Sequence, residues 1–443
     1  QVLELGVAQD PLLKLAFHLL LTPPTLTMSY EDGTKQFIVV SCYTQFENLA
    51  HKPRGTPSQF GMQVFGFDST TGLMTTLSIN TETGDTVVNP AFSRFHPTLN
   101  VLYSVSESVK NDGYLTAYSV DVSTGELSRI GQESCLGTST CYITTAPDLR
   151  HLLYVNYWDS TLGAMPIDAA GKPLPVEKKT RAPSKDGGEA RPPQQHGDDP
   201  HSKHRTEETH AHAIVLDPCF GRVAFVPDLG EDCIKQFVYD RATGALDYAG
   251  WIPCGNGPKH RGPRYIEFHP TLNVAYTVNE LASTVSVYTF VEERLRALAP
   301  GSTDRTLQLA QEIDTVPTAF PRKMNTCGRI CVSPSGKHVL VSNRGHDSVV
   351  VYEVMTDPCS GSVGQLRTCG YFHTSGHTPR HFAFDLTGKW FFVANQDSDC
   401  VSVFRFNEEE GALTYAQSYS VNSPNFVCPI KPHKRTTAQK ARL

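Results

Sequence analysis

One unit recurs along most of this 443-residue chain, and it constrains the fold more than any single motif does. Its plainest copy runs Tyr265-Ile-Glu-Phe-His-Pro270, then a turn ending at Asn273, then Val274-Ala-Tyr-Thr-Val-Asn-Glu280 and Thr284-Val-Ser-Val-Tyr288. Related turn markers are Phe95-His-Pro97, Ala146-Pro147, Leu216-Asp-Pro218, Val332-Ser-Pro334, Phe384-Asp-Leu386 and Val427-Cys-Pro429. They recur roughly every 50 residues, the spacing of one supersecondary unit repeated about seven times. Length alone would suggest two or three domains; the repeat replaces that estimate with one ring plus insertions.

Each copy reads as four short strands. A period-two run (Ile266, Phe268) leads into a turn such as Pro334-Ser-Gly336. A more apolar run follows, as in Trp390-Phe-Phe-Val-Ala394, and then an alternating one, as in Val349-Val-Val-Tyr352. Asp/Thr/Gly turns such as Asp121-Val-Ser-Thr-Gly125 and Asp240-Arg-Ala-Thr-Gly244 precede the fourth. Short strands, polar turns and little helical periodicity describe a propeller blade. The first unit lacks an opening strand, while the C-terminus carries a spare one at Asn425-Phe-Val-Cys428. The expected fold is therefore all-β: a seven-bladed β-propeller over residues 28–430, whose first blade is completed by residues 424–430, closing the ring without an open edge.

Three segments fall outside that pattern. Residues 1–27 read as an N-terminal extension and 431–443 as a C-terminal tail. The stretch from Gly171 to Thr209 is rich in Pro, Lys, Gly, Asp and His, and its 177–209 portion reads as a disordered or mobile insertion. A further insertion, Glu292 to Ala319, is expected to hold a short helix. The formal net charge of −6, with no basic stripe, argues against a nucleic-acid partner. The apolar stretch from Pro11 to Leu21 is interrupted by Lys14 and His18 and is too short to span a bilayer, which takes about 20 residues. No membrane partner is expected. Cysteines such as Cys42, Cys331 and Cys400 sit in or beside apolar strand runs, where a free thiol packs as a small hydrophobe. Reduced thiols and a cytoplasmic location follow as expectations.

The repeat lets equivalent positions be superposed. Six residues before each marker stand Ala91, Cys141, His212, Arg264, Gly328, Arg380 and Ser423; ten after stand Glu107, Tyr157, Asp228, Glu280, Arg344 and Gln396. Antiparallel geometry puts both sets at one end of the propeller. Three arginines, two acids and a histidine converge there, where mutual perturbation of their pKa values marks a functional site. Guanidinium groups suit phosphate or carboxylate, and histidine suits proton transfer near neutral pH. Arg264 with Glu280 and His212 with Asp228 also read as structural ion pairs inherited by repetition. The pairing differs from blade to blade, however, whereas a structural ladder would repeat one solution. His377 and His381 flank Arg380; one of the two is expected at the same rim, with His377 the candidate, and turn and strand packing is the alternative for both. His210 and His212 are two apart but have no third ligand at fixed spacing, so no metal and no cofactor is expected. His96 and His269 occupy one turn slot and read as structural.

On these residues the chain resembles the seven-bladed propeller lactonase family. The matching segments are His210-Ala-His-Ala-Ile-Val-Leu-Asp-Pro218, Gly262-Pro-Arg-Tyr-Ile-Glu-Phe-His-Pro270 with Val278-Asn-Glu-Leu281, Val341-Ser-Asn-Arg-Gly345, and Thr378-Pro-Arg-His-Phe-Ala-Phe-Asp385 with Val393-Ala-Asn-Gln396. That family includes bacterial 6-phosphogluconolactonases and the fungal carboxy-cis,cis-muconate cyclase. The resemblance implies His212, Arg264, Glu280 and Arg344 as catalytic residues, with Arg380, Asp228, Gln396 and His377 as substrate-binding candidates. The implied function is a metal-independent lactonase of carbohydrate metabolism acting on an anionic sugar lactone or releasing its open-chain acid, by resemblance 6-phosphogluconolactone of the pentose phosphate pathway. A lactone-forming carboxymuconate cycloisomerase and a non-catalytic propeller that binds a metabolite or protein are the alternatives. The oligomeric state is left open.

Overall fold

Seven four-stranded antiparallel sheets account for the repeat. The computed structural model describes residues 35–79, 87–181, 183–185, 208–257, 259–357, 359 and 361–433. Blade 1 is built from Pro424–Ile430, Lys35–Cys42, Met62–Asp68 and Leu73–Ile79, so the last strand of the chain opens the first blade. Blade 2 uses Pro90–Phe95, Val101–Ser106, Asp112–Val120 and Leu127–Thr138; blade 3, Thr140–Thr145, His151–Asn156, Thr161–Pro166 and Thr180–Arg181. Blade 4 comprises Val215–Leu216, Val223–Asp228, Cys233–Tyr239 and Leu246–Pro253; blade 5, Pro263–Phe268, Val274–Asn279, Thr284–Phe290 and Leu307–Asp314. Blade 6 has Thr326–Val332, His338–Arg344, Ser348–Val354 and Leu366–His373; blade 7, Pro379–Phe384, Trp390–Asn395, Cys400–Asn407 and Ala412–Ser420. First strands of successive blades pack against one another around most of the ring axis; beside blade 4, whose first strand is only Val215–Leu216, the first strand of blade 5 packs on Val223–Asp228.

Closure rests on the pairing of Val39 with Cys428 and Val40 with Val427. Side chains then lock the seam to blade 7. The Gln36 amide donates to Asp385 at 2.7 Å and accepts from the Leu386 N–H at 2.8 Å. The Trp390 indole donates to the Ser69 carbonyl at 2.8 Å. Gly72 has φ +77°, and a Cβ there would lie 2.2 Å from the Trp390 ring, so this turn needs glycine for both conformation and space.

Burial explains the strand compositions. The second strands His151–Asn156, Val223–Asp228 and Val274–Asn279 are buried throughout, because both sheet faces pack against neighbouring blades. The outer strand Leu307–Asp314 meets solvent and alternates accordingly. The Asp/Thr/Gly turns work through their aspartate: Asp121 accepts the Ser123 and Thr124 N–H groups at 2.8 and 2.9 Å. The Ser123 hydroxyl bond, with these N–H groups, holds its carboxyl down to about 2. His96 and His269 are structural as expected, each Nδ1 accepting two turn N–H groups at 2.9–3.1 Å. All twelve cysteines are free thiols.

The expected insertion is narrower than the composition suggested. Thr180–Arg181 supplies the outer strand of blade 3, and Thr209 is buried against blade 4, so both ends of 177–209 belong to the propeller. Between them, 186–207 lies outside the described residues, as do 1–34 and 434–443. The start of the expected tail is docked: the His433 ring stacks on Phe95 at 5.5 Å. Glu292–Ala297 is the short helix expected in blade 5's insertion. No helix among the described residues is long and apolar enough to cross a membrane.

Candidate active site

Each blade brings two residues to the axis at one end of the ring. The first lies at a bulge early in the inner strand, as between Pro263 and Tyr265. The second follows the second strand, and its N–H bonds the carbonyl two residues before the first: Glu280 to Gly262 at 2.7 Å, Tyr157 to Ser139 at 2.8 Å, Glu107 to Asn89 at 2.9 Å. This hydrogen bond defines the slots by structure. It confirms Ala91/Glu107, Cys141/Tyr157, Arg264/Glu280 and Arg380/Gln396 as equivalent pairs.

It also corrects two blades. In blade 4 the bond comes from Leu229, to His210 at 2.9 Å, so Asp228 is one residue too early and faces away from the rim. Asp228 is fully buried, takes an ion pair from Lys235 at 2.9 Å and accepts the Thr209 hydroxyl and the His210 N–H. It is a structural anchor and does not meet His212. In blade 1 the bond runs from Tyr43 to Ser423 at 3.0 Å, which makes Asn425 the inner residue and Tyr43 its partner. Ser423 instead holds the left-handed position before it, at φ 40°. The turn between the first two strands of blade 4 is one residue longer than in blade 5, Asp217 to Val223 against His269 to Val274, and in blade 1 Pro429 pairs with Ile38 inside the strand instead of marking the turn; counting from a turn marker therefore slips by one or two residues.

His212, Arg264, Arg380, Cys141, Asn425 and Glu107 line one enclosed axial cavity. Its volume is about 10 Å³, the scale of one water. A layer of rings closes the floor: Tyr142 and Tyr265 with centroids 5.3 Å apart, Phe92 and Phe426 at 4.5 Å, and His381 stacked on Phe426 at 3.8 Å.

Glu280 organises one side. Its two carboxylate oxygens each take an arginine, Arg264 Nε at 3.0 Å and Arg344 Nη2 at 3.0 Å. Arg264 also donates to the Gly328 carbonyl at 3.2 Å and lies 4.2 Å from the Tyr265 ring centre. Arg344 donates to the Cys327 carbonyl at 2.6 Å and stands behind the cavity wall rather than in it. Opposite, the Tyr43 hydroxyl donates to Glu107 at 2.9 Å, Arg380 lies over the Tyr43 ring at 5.2 Å, and its guanidinium is 3.9 Å from Glu107. That last distance is ionic contact without a hydrogen bond.

His212 is buried between these groups. Burial, then the Arg264 charge, pushes its pKa well below the ordinary histidine value, with Glu280 and its own backbone carbonyl pulling the other way. It is a neutral imidazole at neutral pH. His381 is held neutral by burial and the surrounding arginines, Arg329 first.

The remaining candidates separate by position. Gln396 sits in its expected slot, but its amide is engaged by His51 at 3.3 Å and Asp397 at 3.0 Å. His377 is largely exposed, pairs with Asp347 at 2.7 Å and is not in the cavity wall; it belongs to a surface loop. Sequence reasoning gave no role to Glu107 or Tyr43, and of the two histidines flanking Arg380 it is His381, not the preferred His377, that lines the cavity. Glu107 stood in the superposed set and could have been read from it; Tyr43 needed the blade 1 register. His210 stacks on Tyr157 at 4.7 Å, and among the described residues no three His, Cys, Asp or Glu side chains stand close enough to hold a metal ion.

Comparison with known proteins bears on the fold and the family. A family model described as Lactonase, 7-bladed beta-propeller matches residues 37–429. The chain is 28% identical to a 6-phosphogluconolactonase of Formosa agariphila over 80% of this chain and 90% of that protein. It is also 28% identical to the 6-phosphogluconolactonase of Bacillus subtilis, over 77% and 86%. A solved periplasmic gluconolactonase of Pseudomonas aeruginosa superposes with a TM-score of 0.72 at 26% identity, covering 89% of this chain and 99% of that one.

Proposed function

Because the chain belongs to the seven-bladed β-propeller lactonase family, we propose that it opens an anionic sugar lactone of the 6-phosphogluconolactone kind, using side chains alone. The observation that carries this reading is a neutral, buried His212 and a fixed Arg264 on the wall of one cavity. In the proposed reaction His212 takes a proton from water, whose oxygen attacks the lactone carbonyl. Negative charge develops on the carbonyl oxygen, and Arg264 stabilises it; losing such a donor costs about 10²–10³ in rate. The intermediate collapses, the ring C–O bond breaks, and the imidazolium returns its proton to the leaving alkoxide. Glu280 keeps Arg264 and Arg344 in place throughout.

Arg380 is the natural anion anchor. Glu280 holds Arg264 and Arg344 at 3.0 Å, whereas Arg380 stands 3.9 Å from Glu107 and can swing toward a phosphate or carboxylate. The cavity as it stands holds about one water, so substrate enters by displacing this more loosely tied side. Both carboxylates beside the cavity, Glu280 and Glu107, are already paired with arginines, which supports a metal-independent reaction. A cytoplasmic location accompanies the reading, since buried free thiols suit a reducing compartment.

The test is the rate of 6-phosphogluconolactone opening by the purified chain, with and without EDTA. Turnover indifferent to EDTA and lost in folded His212→Ala and Arg264→Ala variants is expected. Full activity in either variant would sink the assignment, and turnover of a carboxymuconate in place of the lactone would move it to cyclisation.

A further inference from the structure

A base must present a bare nitrogen, and a neutral imidazole has only one. Which nitrogen of His212 carries the proton therefore decides whether the residue can do the work assigned to it above, and the answer lies on the neighbouring blade. The Cys141 sulfur stands 3.6 Å from His212 Nδ1 and 3.6 Å from the His212 carbonyl oxygen. Both residues are buried, and both line the axial cavity.

A thiol has one proton and can satisfy both contacts in only one sense. The carbonyl oxygen accepts but cannot donate, so the S–H points at it. The sulfur then faces Nδ1 with a lone pair and accepts Nδ1–H. Burial raises the pKa of Cys141 far above its ordinary value, so the group stays a thiol and keeps that proton. We infer that Cys141 selects the Nδ1–H tautomer of His212 and thereby leaves Nε2 bare as the proton acceptor. Cys141 is a positioning residue: it acts through His212 and takes no covalent part. The aromatic neighbours complete the clamp without competing for either nitrogen, Tyr157 with its ring centre 4.9 Å from that of His212 and Tyr265 edge-on at 5.4 Å. This inference rests on the proposed role of His212, but its first test does not.

The experiment is long-range ¹H–¹⁵N NMR on the full chain labelled at histidine nitrogen, with the His212 signals identified by their loss in His212→Gln. Near neutral pH the wild-type spectrum should show the Nδ1–H tautomer. Cys141→Ala should shift His212 toward Nε2–H and lower kcat at least about tenfold with KM little changed, while Cys141→Ser, whose hydroxyl also donates and accepts, should restore both. An Nε2–H tautomer in the wild type overturns the inference whatever the activity, as does a Cys141→Ala protein with unaltered tautomer and kcat. The His212→Gln protein separately reports on the reading beneath: if it turns over lactone normally, the base assignment fails even where the tautomer is as stated.

Discussion

Two neighbouring positions at the top of each second strand have met opposite fates. The position just before the axial one holds Asn156, Asn279, Asn343 and Asn395 in blades 3, 5, 6 and 7, always fully buried. Each amide ties its strand to the third strand or to a preceding turn: Asn279 donates to Thr284 and Ser286 at 2.9 Å, Asn343 to the Thr315 carbonyl at 2.6 Å, Asn395 to the Thr374 carbonyl at 3.1 Å. One residue later stand Tyr157, Glu280, Arg344 and Gln396, all different. Strand alternation turns the first position into the blade and the second toward the axis. A position solving one structural problem keeps asparagine in four of the seven blades; a position sharing a single asymmetric cavity keeps no residue at all.

The comparison predicts a clean division of effects. Glu280→Gln should cost most, because it withdraws the shared carboxylate from two buried arginines: kcat/KM should fall by about 10²–10³ and urea melts should show a loss of about 3–5 kcal/mol. Asn343→Ala lies beside it in the repeat but should cost only stability, about 1–3 kcal/mol for the orphaned carbonyl and hydroxyl partners, with turnover per folded molecule unchanged. A larger effect on kcat than on stability there would blur the distinction.

The pH profile sharpens it further. His212 has its pKa depressed by burial and by Arg264, so it is bare at neutral pH and gains a proton only well below the ordinary value of about 6.5. Activity should be level through neutral pH and fall as pH drops through that low value. Stability follows the same sign, since the unfolded chain binds the proton first and folding weakens as pH falls below about 6.5. An acid limb above neutrality would contradict the assignment. The smallest effect belongs to His377→Ala: the side chain is largely exposed, and the change should stay within about 0.5 kcal/mol and leave kcat/KM as it was.

The ring, its blade count and the closing strand were legible because strand period, turn residues and repeat length are local or periodic signals. So was the convergence of His212, Arg264, Glu280 and Arg380, since equal offsets in equal units end at equal heights. What escaped the sequence was register. One extra turn residue in blade 4 put Leu229 where counting expected Asp228, and in blade 1 a proline inside the strand, Pro429, stood in for the turn marker and put Asn425 where counting expected Ser423. Asp228 next to a histidine strand looked like a catalytic partner; its lysine, Lys235, lies on the following strand and signalled nothing until folding paired them. Glu107 and Tyr43 form their contact across 64 residues, beyond any spacing rule.

The most direct test of the central claim is diffraction from crystals soaked with 6-phosphogluconate, the product of the proposed reaction. The account predicts its carboxylate between Arg264 and His212 and its phosphate on Arg380, with the Tyr43–Glu107 side displaced. Ordered product bound elsewhere on the ring, with the axial cavity unchanged, would contradict it.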